Sequence, residues 1–458
     1  GVKLRGGQHQ AIEMKEKLKV SQENRSVASI TYQNLFLLFP KMAGMSGTIS
    51  DAREELLDVY GEKVIVIPPN RPVQRKDLPD FYFKNAEEQF EQAIERAVAV
   101  HRTGQPVLIV VTTIGETELI SALLMERKIP HSVLNANNAF WEADMIKVAG
   151  QMNAVTVATA MAGRGTDIKL GEGVRELGGL AVIGIGRMAN TRQERQARGR
   201  AGRQGDPGSS RFFVSLEDEV VNRNGSKKIE KYIEGKRHVG KHKVKKLIDG
   251  SKTVGEEFAV MSRRQAMDYD EVLQRQRTLI YATRDALLDG ETLEKEKIIE
   301  IAETNIRHFL ASQKLLDIHT VSRYILDNIS YRLDHEPVDL SKKPKEAALA
   351  YLMKRVREAL EEQERKLGSE EVMNDFMRVA TLRAIDDAWV EQVDFLQQLQ
   401  SAVSGRSFAQ RNPLFEYRKE ALESFNKMKD TILKNIVRNI LLSNVYVDEE
   451  GELRILFP

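Results

Sequence analysis

An α/β domain built on a parallel sheet, followed by a large all-α helical region, is the fold class this sequence predicts. Three patterns predict it. From about residue 36 to 219, short apolar runs alternate with amphipathic helical stretches, as strands joined by crossover helices do. After Asp218 the apolar runs give way to apolar residues at steps of three, four and eight, the spacing of a helix face. Two long stripes of this kind, separated by a turn containing Gly405 and Pro413, predict an antiparallel helical hairpin.

The elements follow in chain order. Residues 1–35 hold a charged amphipathic stretch from Gln8 to Lys19 and then the run Val27-Ala28-Ser29-Ile30-Thr31-Tyr32. Residues 64–67 read as a strand closed by Pro68-Pro69. Residues 87–103 read as a helix with Phe90, Ile94 and Val98 on one face. The unbroken apolar run 107–111 is the mark of a strand buried on both sides of a parallel sheet. A helix over 117–127 ends before Ile129-Pro130, because a proline pushes the residue before it out of helical geometry. Val133-Leu134 is a short strand, and 141–148 a helix. Residues 155–158, 181–184 and 212–215 complete the strands.

The Gly-, Lys- and Asn-rich segment 222–255 reads as a linker or exposed loop. Over 256–288, Phe258, Met261, Gln265, Tyr269, Val272, Gln276, Leu279 and Leu287 predict a helix of about nine turns. Residues 291–370 form a helical cluster broken at His335-Glu336-Pro337 and Lys343-Pro344. The first hairpin arm carries Phe376, Ile385, Trp389, Leu396 and Val403; the second carries Tyr417, Phe425, Ile432 and Ile440. Phe408 lies at the tip between Arg406 and Arg411, with no core to join. It either meets a partner or folds back on its neighbours.

Length and composition set bounds. The 458 residues suffice for two to four domains, and 41% apolar residues are ordinary for a globular protein. Net charge is +2, so the molecule as a whole is no polycation. Basic charge is local: ten Lys/Arg fall between Arg223 and Lys246 against Glu230 and Glu234. Such a patch suits acidic lipid, nucleic acid or an acidic partner, or is a solvated face. With no cysteine, disulfides, thiolate zinc sites and thiol catalysis are excluded. The longest apolar runs fall far short of the roughly 20 residues that span a bilayer. The chain opens at Gly1 directly in what reads as mid-domain sequence, as a piece of a longer polypeptide would.

Two motifs carry chemistry. In Arg195-Gln196-Ala197-Arg198-Gly199-Arg200-Ala201-Gly202-Arg203-Gln204-Gly205-Asp206, four arginines interleaved with glycines suit the holding of a polyanion. The register resembles the sixth motif of helicase-superfamily ATPases, whose arginines reach the γ-phosphate across a cleft. Upstream, the strand at 155–158 runs into Ala162-Gly163-Arg164-Gly165-Thr166-Asp167, and ligands of open α/β sheets bind at such strand-end turns. Glycines there admit a phosphate, Arg164 supplies charge, and Asp167 can accept from a ribose hydroxyl or orient an arginine. Surface turns are the alternative for either motif alone; together, in this order, they point to nucleotide.

Other signals are discounted. Gly235 to His242 fits a phosphate loop except that His242 stands where magnesium needs Ser or Thr, and no good strand precedes it. Val445 to Glu450 imitates a metal-holding strand end but lies far from the nucleotide motifs. The histidines show no credible metal spacing, so no metal site is expected.

Residues 158–171 (ATAMAGRGTDIKLG) and 198–210 (RGRAGRQGDPGSS) resemble the second nucleotide-binding domain of SecA, the bacterial preprotein translocation motor. Residues 7–16, Ala43-Gly44-Met45-Ser46-Gly47-Thr48, IPPNRPVQR at 67–75, Asp268 to Val272 and 404–413 are similar to further family segments, so the resemblance covers roughly 1–440. It implies a layout: the end of the preprotein-crosslinking domain and hinge (1–35), a second RecA-like nucleotide-binding domain (36–221), a basic loop and long scaffold helix (222–290), a helical wing (291–371), a two-helix finger (372–440) and a C-terminal segment (441–458). A first RecA-like domain with Walker A and B motifs would precede Gly1. By resemblance, Arg200 and Arg203 are the finger arginines, and Asp167, Arg164, Gly165 and Gln204 bind ATP. Phe408 and Arg406 would meet substrate and channel. The cofactors implied are ATP and Mg2+, the metal held mainly by the preceding domain.

The partners implied are a Sec-type channel, an unfolded preprotein and an anionic membrane surface, at the inner face of the cell membrane. The resemblance also admits a homodimer. Departures are present: Ala160 stands where the family usually has Asn, 185–191 departs from TERHESR, 135–139 departs from NAKxH, and the Cys-rich zinc tail is absent. These drifts resemble the accessory SecA of Gram-positive bacteria, which exports a restricted set of surface proteins. Two rivals remain in view. One is a nucleic-acid helicase, which shares both motifs but would want a nucleic-acid module the helical half lacks. The other is a non-enzymatic adaptor.

Overall fold

The computed structural model describes residues 4, 7–22, 29–135, 142–160, 162, 165–227, 229–234, 240–290, 293–333, 339–405, 412–447 and 453–458. Two compact units divide the chain: Phe39–Gln265, and Gly1–Leu38 together with Ala266–Pro458.

Among its described residues the first unit holds seven parallel strands: β1 (Gln74–Asp77), β2 (Phe81–Phe83), β3 (Val107–Val111), β4 (Ser132–Leu134), β5 (Val155–Thr159), β6 (Leu180–Ile185) and β7 (Pro207–Ser215). Their order is β1-β7-β6-β3-β5-β4, with β2 also on β7. All five residues of β3 are buried, as a central parallel strand requires. Alternate residues serve opposite cores. Val107, Ile109 and Val111 pack with Ile94, Ile120 and Leu124, whereas Leu108 and Val110 pack with Ile146, Val182 and Phe212. The helix Ala86–His101 starts on Asn85, whose side chain accepts from the Glu88 N–H at 3.1 Å. The helix Ile114–Glu126 starts on a capping box between Thr113 and Glu116.

One edge of the sheet is split. β1 pairs with Pro207 to Ser210 of β7, and β2 pairs with Phe213 to Ser215. In the gap the Asp80 carboxylate replaces a backbone carbonyl and accepts the Phe212 N–H at 3.1 Å.

Several sequence expectations need correction. Residues 64–67 form no strand: Ile65, Val66 and Ile67 are 82%, 70% and 85% exposed, and no described strand pairs with them. An apolar β-prone run makes a strand only where a ladder partner exists, and the prolines that follow offer no N–H. The polar strand β1, of sequence QRKD, was invisible to an apolar pattern. Segment 222–255 is largely helix, not loop. Glu219–Asn224 and Glu230–Ile233 are short helices, and the long helix begins at Lys241 and reaches Leu288. Ile229, Tyr232, Val244 and Ile248 anchor this segment in the core that contains Phe212, while the lysines at 241, 243, 245 and 246 face solvent.

The second unit is helical. Lys295–Ser312, Ile318–Asn328, Lys345–Leu367, Glu370–Gly405 and Pro413–Leu442 share one core with the distal part of the long helix. The two hairpin arms are as the stripes predict, and Asn412 caps the second by accepting the Leu414 and Phe415 N–H groups at 3.0 and 3.3 Å. Buried polar groups bridge three helices: Gln392 Nε2 donates to Gln276 Oε1 at 3.0 Å and Ser424 Oγ at 2.9 Å, and Gln276 Nε2 donates to the Ala421 carbonyl at 3.0 Å. Asp270 accepts from Thr31 N, Thr31 Oγ1 and Asn34 Nδ2 at 3.0, 2.7 and 2.6 Å, tying the N-terminal segment to the long helix. Two antiparallel strands, β8 (Asn444–Val447) and β9 (Leu453–Leu456), end the chain. The hairpin tip with Arg406 and Phe408, the break at 335–337, residues 136–139 and residues 235–239 lie outside the described residues.

Gly184 of β6 sits opposite Phe212, and a Cβ there would fall 2.2 Å from the fully buried Phe212 ring. Gly184→Ala should therefore cost about 1–3 kcal/mol of stability by overpacking. Urea unfolding measures it; a loss below about 0.5 kcal/mol, the scale of an ordinary surface change, would mean that the ring moves aside freely.

Candidate nucleotide site

Two turns meet beside the sheet. The first follows β5. In it Gly165 has φ +85°, and the direction a Cβ would take from it is open space. The second joins the helix Thr191–Arg198 to β7. There Gly202 has φ +70°, and a Cβ would fall 2.5 Å from the Cβ of Arg75, so only glycine lets this turn close against its neighbour.

Arg203 binds the first turn. Its Nη1 lies 2.8 Å from Asp167 Oδ1 and 3.2 Å from the Thr166 carbonyl, and its Nε donates to the Gly199 carbonyl at 3.1 Å. Arg203 and Asp167 remain 36% and 45% exposed, open to a ligand. Arg200 is more deeply placed, and its Nη2 donates to the Ala162 carbonyl at 2.6 Å. Burial pushes the Arg200 guanidinium down from the usual arginine value; repulsion from Arg203 adds to this, and Glu142 opposes it. Gln204 is exposed, in the left-handed region at φ +53°. Arg164 lies outside the described residues. The structure thus brings Arg200, Arg203, Gly165 and Asp167 together.

The expectation that four arginines face one polyanion needs correction. Arg195 pairs with Asp51 Oδ2 at 2.9 Å and donates to Ser50 Oγ at 3.2 Å. Arg198 is enclosed: it donates to Asp80 Oδ1 and Oδ2 at 2.8 and 3.0 Å, to Glu194 at 3.1 Å and to Ser210 Oγ at 3.0 Å, and lies over the Phe212 ring. Arg195 and Arg198 make their ion pairs elsewhere in the unit, whereas Arg200 and Arg203 contact Ala162, Thr166 and Asp167.

Sequence reading missed the groups that hold this arrangement. Arg187, 4% exposed, contacts Asp80 at 3.2 Å, Glu194 at 3.1 Å and Asp249 at 2.6 Å. Burial works against its charge, yet these three carboxylates hold its pKa above the usual arginine value. Burial would raise the Glu194 carboxyl, but Arg187, Lys252 and Arg198 outweigh it and hold the group down. Asp218 accepts from Arg187 N at 2.7 Å, Ser215 N at 3.1 Å, Ser215 Oγ at 3.1 Å and Gln89 Nε2 at 2.9 Å, fixing the turn after β6. Burial nevertheless pushes this carboxyl up to about 6. No short sequence signal marks these residues, because Asp80, Gln89, Asp249 and Lys252, which complete the set, come from distant parts of the chain.

Seven parallel strands flanked by helices, with a glycine, an aspartate and two arginines on adjoining turns, define a RecA-like α/β domain, here joined to a long helical region. Family models match in series: the SecA DEAD-like domain over residues 3–57, the SecA P-loop domain over 72–174 and 171–239, and the SecA Wing and Scaffold domain over 239–444. The chain belongs to the SecA family.

Among its relatives are proteins named Protein translocase subunit SecA 2. That of Streptococcus agalactiae serotype V is 45% identical over 470 residues, covering 100% of this chain and 58% of that protein. Those of Streptococcus sanguinis and Staphylococcus aureus strain Newman are 41% and 39% identical, each covering 100% of this chain and 59% of the relative. The chain thus spans under two thirds of the length of the curated relatives it matches. A solved structure, the Mss116p DEAD-box helicase domain 2 bound to an RNA duplex, matches 51% of this chain and 85% of that one at 18% identity and a TM-score of 0.25, a likeness that carries no argument.

Asp218 makes stability depend on pH in a set direction. Its folded value of about 6 lies above the ordinary 3.8, so the folded state binds this proton more tightly than the unfolded one. Its contribution is full below about pH 3.8 and is lost as pH rises through about 6, a change of about 3 kcal/mol. The stability difference between wild type and Asp218→Ala should shift against wild type by that amount across this window. Urea titrations at stepped pH read it, and a difference that does not vary with pH would refute it.

Proposed function

We propose that this chain is the part of a protein-translocating ATPase that supplies the arginine-finger half of its ATP site and the helices that contact substrate and channel. The observation that carries the reading is the meeting of Arg200 and Arg203 with the Gly165–Asp167 turn. Two neighbouring guanidinium groups beside an open glycine fit an anionic phosphate. Burial chiefly lowers the proton affinity of Arg200, and the repulsion from Arg203 that adds to it would be relieved by that anion.

ATP would supply the γ-phosphoryl group transferred to water, with Mg2+ held mainly by a partner domain carrying the Walker motifs. In this reading Arg200 and Arg203 stabilise charge on the phosphoryl oxygens. Asp167 orients Arg203 and releases it to the phosphate, Gly165 and Gln204 line the approach, and Arg164 adds charge to the same turn. The domain layout is the one the family resemblance implies, with a RecA-like domain over 36–221, a scaffold helix to 290, a wing over 291–371 and a finger over 372–440.

Arg406 and Phe408 on the finger would meet the moving polypeptide and a Sec-type channel. The substrates would be unfolded preproteins, a restricted set of surface proteins as in an accessory translocase. The motor would work at the cytoplasmic face of the cell membrane, where the exposed lysines at 241–246 suit an anionic lipid surface.

In a polypeptide joining this chain to a Walker-bearing N-terminal domain, unfolded secretory protein with translocon-bearing membranes should raise ATP turnover. Arg200→Ala and Arg203→Ala should each lower the stimulated kcat by about 10³-fold or more. Full turnover in Arg203→Ala would remove the catalytic reading, and stimulation by RNA alone would replace the translocation motor with a helicase.

A further inference from the structure

The helix Thr191–Arg198 that leads to the site arginines is an unusual element to find well placed. It has eight residues, TRQERQAR, of which only Glu194 and Ala197 are buried. So short and polar a helix gains little from its own hydrogen bonds or from apolar contact, and its position must be set by its surroundings.

Those surroundings include one face of the long helix. Asp249, Lys252 and Glu256 recur at steps of three and four, which places them in one stripe. Each takes a different grip. Asp249 Oδ1 accepts from Arg187 Nη2 at 2.6 Å, just before the short helix. Lys252 Nζ pairs with Glu194 Oε2 at 3.1 Å, in its middle. Glu256 Oε1 accepts the N–H of Thr191, its first residue, where the helix dipole favours a carboxylate. The path to the site is short: Arg200 lies two residues beyond the short helix, and Arg203 Nε is bonded to the carbonyl of Gly199, its C-terminal cap.

We propose that Asp249, Lys252 and Glu256 form a polar latch whose role is to position Arg200 and Arg203, making these three the positioning residues of the arginine finger. The inference rests on the reading of those arginines as γ-phosphate ligands, because only then does a displaced short helix alter turnover. Lys252 and Glu256 are the residues to vary, since Asp249 shares Arg187 with two other carboxylates.

In the Walker-complete polypeptide, Lys252→Met with Glu256→Leu should lower the single-turnover rate about tenfold or more, as misplacement by about 1 Å can, while KM for ATP changes less than about threefold. Lys252→Arg with Glu256→Gln keeps a donor and an acceptor in place and should restore the rate. In an Arg200→Ala/Arg203→Ala background the disruptive pair should cost nothing further, because the groups through which it acts are gone. Equal loss in both backgrounds, or no loss in either, overturns the latch.

Hydrogen exchange separates this failure from failure of the functional reading. If the wild-type polypeptide hydrolyses no ATP, the reading falls. The latch then stands on faster amide exchange over 191–205 in the disruptive pair, restored in the conservative pair, and unchanged exchange overturns it.

Discussion

Mutual neutralisation of buried charge is the constraint on which the sheet-bearing unit depends. Arg187, Arg198 and Lys252 supply three positive charges, and Asp80, Glu194 and Asp249 supply three negative ones, within a single connected set. Its members come from the sheet edge, the turn after β6, the short helix and the long helix. Asp249 keeps partial contact with water, but taking Arg187, Arg198, Glu194 or Asp80 out of water alone would cost several kcal/mol, and removing one partner from a buried pair typically costs about 3–5 kcal/mol. The segments therefore hold their positions together or not at all. Asp80 shows the economy of the arrangement: one carboxylate caps a gap in the β7 ladder and also pairs with two guanidinium groups.

The same constraint sorts the arginines. Arg198, enclosed by Asp80 and Glu194, has no free field for a phosphate and serves structure, while the half-exposed Arg195 pairs with Asp51 rather than with the Gly165–Asp167 turn. Arg203 meets one half-exposed carboxylate, and Arg200 lies against a carbonyl and feels the charge of its neighbour. These two guanidinium groups thereby come together at one turn. A run of basic residues and glycines thus resolves into two kinds of group by what each side chain meets on folding.

How much of this the sequence disclosed follows from the range of the interactions. Strands β3, β5, β6 and the end of β7 were legible because a strand buried in a parallel sheet writes itself as an apolar run. The split edge was not: QRKD has no apolar pattern, and its pairing is set by β7, some 130 residues away. Segment 222–255 misled in the other direction. Its lysines and glycines dominate the composition, while the few residues that anchor it, Ile229, Tyr232, Val244 and Ile248, are too sparse to announce a core face. At the site, local motifs disclosed Arg200, Arg203, Gly165 and Asp167. Asp80, Arg187, Glu194 and Asp218 stayed hidden, since a lone charged residue looks solvated until its distant partners are known.

The split edge has another bearing. A sheet ends in rows of unpaired N–H and C=O groups, which can recruit a strand from another chain. Here one border is interrupted by Asp80 and made of a polar four-residue and an aromatic three-residue piece, and the opposite border, β4, is three residues long. Among the described residues neither border offers a foreign strand a long, flat template for edge pairing.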